Sequence, residues 1–262
     1  MKRRGRQGGA VIGLTRFIWL ALLLTSTSLS AEALRLAGNV WPPYTDQRLL
    51  EDGLSVDLIR TALGRAGYVV HYIEVPWERA LLGLKTGSYD MVNGWPAANR
   101  TRYARASRPF LTNRLRWLHR SDTYTPYDGL DSLVGLRIAL SRGYFYGKGL
   151  ESDARLIKGY AMNFVQAARM VAAGRADLTL EDERTALFHF KRELEDVRDK
   201  LSFLPGEFNL LDLSLLVRNG YPQQATIIAA FNREIAAMVN DGSYAAIFLR
   251  HGLAAPAALP QP

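Results

Sequence analysis

The chain has 262 residues, 48% of them apolar and 22% charged, which provides for a sizeable core and argues against disorder. Half of its net charge of +8 comes from the first 33 residues, where Lys2, Arg3, Arg4, Arg6 and Arg16 outweigh Glu32; no long basic run follows, which argues against a nucleic-acid partner. The absence of cysteine excludes disulfides, thiolate metal sites and a cysteine-linked lipid anchor.

The N-terminus reads as an export signal. A basic region ends at Arg16, the apolar stretch 17–24 follows, and Ala31-Glu32-Ala33 is a small-residue cleavage site. The apolar stretch is well short of the roughly 20 residues that span a bilayer. An uncleaved anchor is the competing reading. A signal peptide over 1–33 places the mature chain, from Leu34, in the periplasm.

Residues 34–37 read as a first strand, ended by Gly38-Asn39 and by a turn, Trp41-Pro42-Pro43-Tyr44, that its prolines stiffen. A helix is predicted over 54–63, stopped by Gly64 and Gly67, and a strand over 68–75. Ala80, Leu81 and Leu84 recur at helical spacing after Trp77, predicting a helix over 77–86; Gly87 stops it, and 89–93 has the short apolar character of a buried strand. Strand, helix, strand, helix, strand implies a parallel sheet with helices on its faces.

A strand over 114–119 then leads into a polar stretch with Pro126 and Gly129. A second unit follows: a strand over 133–140, a loop over 141–145, and a helix over 162–173 with Phe164, Ala167, Ala168 and Val171 on one face. Gly174 stops that helix, and the strand 176–180 runs into Glu181-Asp182-Glu183 and a helix to about 194. The run Lys85-Thr-Gly-Ser-Tyr-Asp90 is echoed by Ala172-Ala-Gly-Arg-Ala-Asp177, as two similarly wound units require. A last strand over 213–217 and a helix over 223–240 precede an Ala/Pro-rich tail, 254–262, expected to be disordered.

The order Trp77-x-x-Ala-Leu81, Leu84-x-x-Gly-x-Tyr-Asp90, Asn99-Arg100 and Ala104-x-Ala-Ser-x-Pro-Phe110, with Asp241-Gly-Ser-Tyr244 near the end, resembles the extracellular solute-binding proteins of family 3. The resemblance covers about 34–253. It implies an α/β, type II periplasmic-binding-protein fold of two doubly wound lobes joined by a two-strand hinge. Lobe 1 would comprise 34–120 plus 208–253 and lobe 2 would comprise 121–207, with the first crossover at 120–125.

The resemblance also implies a site. An arginine of the loop after the 89–93 strand grips the ligand carboxylate; counting back from Ser107 gives Arg100, counting forward from Asp90 allows Arg102, and Arg100 is preferred. A planar guanidinium holds a carboxylate bidentately, as a lysine does not. Asp182, five residues after Asp177, matches the acidic residue that binds the ligand α-amino group, although an aspartate there also suits a helix N-cap. Trp77 and Trp41 match ligand-covering aromatics. Tyr44, Trp95 and Tyr144 complete the candidate set. The positions where the family places hydroxyls read Gly94, Trp95, Ala97, Tyr144 and Phe145, which predicts a more aromatic pocket for a larger, flatter, partly apolar or cationic ligand.

His71, His119, His189 and His251 share no metal-ligand spacing, and no dinucleotide, P-loop or nucleophile motif is present, so no metal, cofactor or catalytic residue is assigned. The leading expectation is a monomeric periplasmic protein that closes on a small carboxylate such as an amino acid, serving an inner-membrane permease or a sensor. The alternatives are a dehydratase-like enzyme using Glu181 or Glu183 as general acid, and a sensory module with a degenerate pocket.

Overall fold

The computed structural model describes Met1 and residues 33–97, 99–123 and 125–260; the expected signal segment lies outside the described residues apart from Met1 and Ala33. The first unit runs β1 (Ala33–Gly38), α1 (Leu54–Arg65), β2 (Val69–Glu74), α2 (Trp77–Thr86) and β3 (Met91–Gly94), with β2 and β3 each parallel to β1. The helix α2 ends where Gly87 adopts a left-handed backbone (φ 88°) and its N–H caps the Gly83 carbonyl, the stop that Gly87 signals in the sequence. The short strand β4 (Ala104–Ala106) and the long β5 (Leu111–Arg120) follow.

The second unit runs β6 (Arg137–Ser141), α3 (Lys148–Ser152), β7 (Ile157–Ala161), α4 (Phe164–Ala172), β8 (Leu178–Asp182) and α5 (Glu183–Phe190), then β9 (Leu201–Phe203). Here β7 and β8 are parallel to β6. The chain returns on β10 (Asn209–Arg218) and finishes with α6 (Gln224–Asn240) and α7 (Ser243–Arg250). One curled sheet results, in the order β2-β1-β3-β10-β5-β8-β6-β7.

Strand β10 joins the two windings. Its residues 214–217 pair with β3, whereas residues 209–213 pair with Leu111–Leu115 of β5. Strand β5 in turn pairs with β8 and β9. The pairing of β10 therefore changes over at Leu213, opposite Leu111 of β5. An alternating run such as 114–119 shows that a strand exists but not which strand accepts its hydrogen bonds.

The echoed Gly-x-x-Asp segments build the same clamp twice. Asp90 accepts from the backbone N–H of Arg35 (2.9 Å) and from its Nε (2.9 Å) and Nη2 (2.7 Å), while that Nη2 also donates to the Gly87 carbonyl. Asp177 receives the same three donors from Arg137, at 2.7, 3.0 and 2.7 Å, with Nη2 on the Gly174 carbonyl. Each aspartate thus ties the start of a central strand, β1 or β6, to the turn after the preceding helix.

The largest core cluster packs α1, α6 and α7 onto β1 and β10 through Leu58, Phe231, Phe248, Leu36 and Leu215 among others. Leu253, Ala255 and Leu259 rest against the same cluster, and Leu259 lies in one surface pocket with Phe110 and Phe231. A buried ionic knot ties α7 to α1: Asp57 accepts from Arg250 Nε at 2.7 Å and from its Nη2, and lies 2.8 Å from His251 Nε2. Burial opposes ionisation of Asp57, but the His251 and Arg250 bonds outweigh it and hold the carboxyl below its ordinary range. Asp57→Ala leaves that arginine and histidine without their acceptor and is expected to lower unfolding stability by about 2–4 kcal/mol, read from urea denaturation.

Candidate functional site

The loops at the carboxyl ends of β1, β3 and β6 converge on one small cavity. Outside such strand ends is where doubly wound sheets place ligands. After β1 the chain turns tightly: the Trp41 N–H donates to the Thr45 carbonyl (2.7 Å), the Thr45 N–H donates to the Trp41 carbonyl (3.0 Å), and Thr45 Oγ1 donates to the Asn39 carbonyl (2.7 Å). This turn presents Asn39, Trp41 and Thr45 to the cavity. Trp77 begins α2 directly after Pro76, Asn93 and Gly94 end β3, and Trp95 follows it. Tyr144 and Phe145 enter from the second winding, and Leu213 floors the cavity where β10 changes partners.

Arg100 sits on the cavity wall, 5% exposed. A turn holds its backbone, with the Arg100 N–H donating to the Ala97 carbonyl at 2.8 Å. Its Nη1 donates to the Trp95 carbonyl at 2.6 Å, its guanidinium carbon lies 5.2 Å from the Trp77 ring centre, and its Nε is buried with no hydrogen-bond partner among the described residues. Burial pulls its pKa down, and no carboxylate offsets that pull. Arg102, the other arginine that the counting allowed, is exposed and meets Asn219 through its carbonyl.

The aromatic residues form a mutually perpendicular set. Trp41 and Trp95 meet at 5.7 Å and 90°, and Tyr144 stands edge-on to both at 6.5 Å. Trp95 Nε1 is committed to Asn113 Oδ1 at 2.8 Å. A Cβ at Gly94 would lie 3.1 Å from the Trp77 ring, so any side chain at this position requires the tryptophan to shift.

Five of the seven expected site residues, Arg100, Trp41, Trp77, Trp95 and Tyr144, therefore line one cavity, and two do not. Tyr44 is fully buried behind Trp41, with ring centres 4.5 Å apart, and its hydroxyl donates to Asp182 Oδ1 at 2.8 Å. Asp182 is fully buried and accepts four hydrogen bonds: Oδ1 from Tyr44 and the Thr185 N–H (3.0 Å), Oδ2 from Asn113 Nδ2 (3.2 Å) and the Arg114 N–H (3.1 Å). Here the N-cap role anticipated for Asp182 is realised, together with a bond that ties the β1 loop to β8. Asn39, Asn93 and Thr45 were not anticipated; their only signal is position at the ends of β1 and β3.

Of the two acids considered for catalysis, Glu183 lies off the cavity in ion pairs with Arg116 (2.5 Å) and Arg114 (3.5 Å). Glu181 is buried under the cavity; Oε1 accepts from the Asp182 N–H at 2.9 Å and Oε2 has no partner among the described residues. Burial first, and the Asp182 charge second, push its carboxyl up to about 8. No cluster of histidine and carboxylate groups suited to a metal occurs among the described residues.

Residues 37–254 match the model of the bacterial extracellular solute-binding proteins, family 3. Among solved structures, a mutant of ArgBP from T. maritima superposes with a TM-score of 0.70 at 18% identity, covering 84% of this chain and 95% of that one. A histidine kinase sensor domain with similarity to periplasmic binding proteins gives 0.71 at 22% identity, covering 86% and 99%. The VFT2 domain of BvgS from Bordetella pertussis, a double mutant, gives 0.67 at 25% identity, covering 83% and 92%. These likenesses bear out the type II periplasmic-binding-protein fold. No curated protein is similar enough to the chain to count as a match.

Proposed function

We propose that this chain, which belongs to the bacterial extracellular solute-binding proteins of family 3, binds a small carboxylate in the periplasm and closes its two windings over it. The observation that carries this reading is Arg100: a guanidinium buried in the cavity wall without a carboxylate of its own. Such a charge is costly to bury unless an anion completes it. Arg100 grips the acid group, while Trp41, Trp77, Trp95 and Tyr144 cover the remainder. Because walls come from both windings, a solute touching both favours the closed arrangement by its differential affinity. In this reading 34–110 with 214–253 form one lobe, 111–213 the other, and the segment before Leu34 is the export signal. Neither candidate acid reaches the cavity wall, so binding rather than dehydration is the reading these positions favour.

The test is thermal shift over a metabolite library, followed by calorimetry. Carboxylates alone raising the melting temperature supports the proposal; stabilisation by neutral or cationic solutes, with none from acids, refutes it. A sensory role is favoured by the BvgS VFT2 domain, which at 25% is the most identical of the three structures compared. Deleting the gene separates the two roles. Loss of growth on the solute indicates transport, and loss of a transcriptional response with growth intact indicates sensing.

A further inference from the structure

Among the described residues the cavity wall carries one formal charge, the Arg100 guanidinium, and no carboxylate; Glu74 and Glu78 line only the adjoining pocket that shares Asn39, Trp77 and Tyr144. An amino acid bound through Arg100 would bring its ammonium into the same space. The buried acid nearest in kind, Asp182, has both oxygens occupied by two donors each, and it lies off the wall. Glu181 lies under Trp41 and Tyr144 rather than on the wall, and its raised pKa leaves it mostly protonated at neutral pH. What the wall offers an ammonium is uncharged oxygens and indole faces. Of these faces, Trp77 is already covered by Arg100 at 5.2 Å.

Cation–π attraction to an indole face is weaker than the cost of removing an ammonium from water without a paired anion, and a nearby guanidinium adds repulsion. The second effect wins. For an acid without an ammonium that cost is absent, and the edge-to-face Trp41, Trp95 and Tyr144 rings suit a flat apolar body.

We propose that the cavity selects monocarboxylates that carry no ammonium group, with flat aromatic acids as the preferred class. The inference rests on the carboxylate-binding function proposed above and names the substrate class of that same site.

The test compares 3-phenylpropanoate with L-phenylalanine, which differ by one ammonium in place of a hydrogen, with benzoate as the smallest flat acid. Calorimetry is run on the full mature chain and on Arg100→Gln. The expected result is that 3-phenylpropanoate or benzoate binds roughly ten-fold or more tightly than phenylalanine, a difference of about 1.4 kcal/mol, and that Arg100→Gln loses this binding. Phenylalanine binding as tightly as 3-phenylpropanoate, in an Arg100-dependent way, overturns the inference and leaves the carboxylate function standing. Acid binding that is unchanged in Arg100→Gln overturns the carboxylate function itself. Binding of neither 3-phenylpropanoate nor benzoate at millimolar concentration also overturns the inference.

Discussion

Arg100→Ala is expected to weaken carboxylate binding by about 2–5 kcal/mol, roughly thirty-fold to several-thousand-fold in Kd. The size follows from burial: inside a cavity with little water, a charge-assisted fork to a carboxylate is screened far less than on a surface. The sign in the free protein is the opposite, and this separates a binding role from a structural one. A guanidinium that is 5% exposed, whose Nε has no partner among the described residues and whose pKa is depressed by burial, is a burden on the ligand-free fold. Arg100→Met keeps the side-chain stem against Trp77 and removes the charge. It forfeits the bond from Nη1 to the Trp95 carbonyl and the cation–π contact with Trp77. The expected net is a gain of about 1 kcal/mol in unfolding stability, read from the urea midpoint, alongside lost affinity. A loss of several kcal/mol would instead make Arg100 a strut of the fold, and the binding role would fall with it.

Arg100 is legible in the sequence only in part. Motif counting left Arg100 and Arg102 both open, because loop length after β3 is free to vary; the turn closed by the Ala97 carbonyl decides which guanidinium faces inward. The parallel windings were legible because Gly87 and Gly174 stop helices immediately before buried apolar strands, and the two aspartate clamps follow from that repeat. Strand β7 was missed: Lys158 and Gly159 interrupt it, and Ile157 and Tyr160 are exposed at the sheet edge, so neither face shows a burial pattern. The three-residue β9 carries no periodicity at all and exists because β5 offers it partners. Tyr44 and Trp41 share one turn, and only packing reveals that one rings the cavity while the other turns into the core to reach Asp182. Sequence also cannot show that the oxygens of Asp182 are already taken, which is the fact that changes the expected ligand.

Glu181 carries the second large effect. Its carboxyl is enclosed one residue before the end of β8, beside Asp182 on its own strand, with Trp41 from the β1 loop and Tyr144 and Tyr146 from the loop after β6 facing it. Burial raises its pKa from 4.5 to about 8, so the folded state keeps a proton that the unfolded chain releases. Stability contributed by that proton is complete below pH 4.5 and is lost as pH rises towards 8, by roughly 5 kcal/mol at most. Glu181→Gln keeps the shape and removes the titration. It is therefore expected to unfold like the parent at pH 5 and to be more stable by a few kcal/mol at pH 9. Urea midpoints across that range check this, and parallel curves for the two proteins would refute the assignment. The same proton reaches the ligand site. Tyr144 lines the cavity and its phenol is pushed up chiefly by burial and then by Glu181. Ionising Glu181 therefore places a negative charge beneath a pocket that holds an anion. Affinity for a carboxylate should fall as pH passes 8 in the parent protein and stay level in Glu181→Gln, so that one substitution flattens both the stability profile and the binding profile.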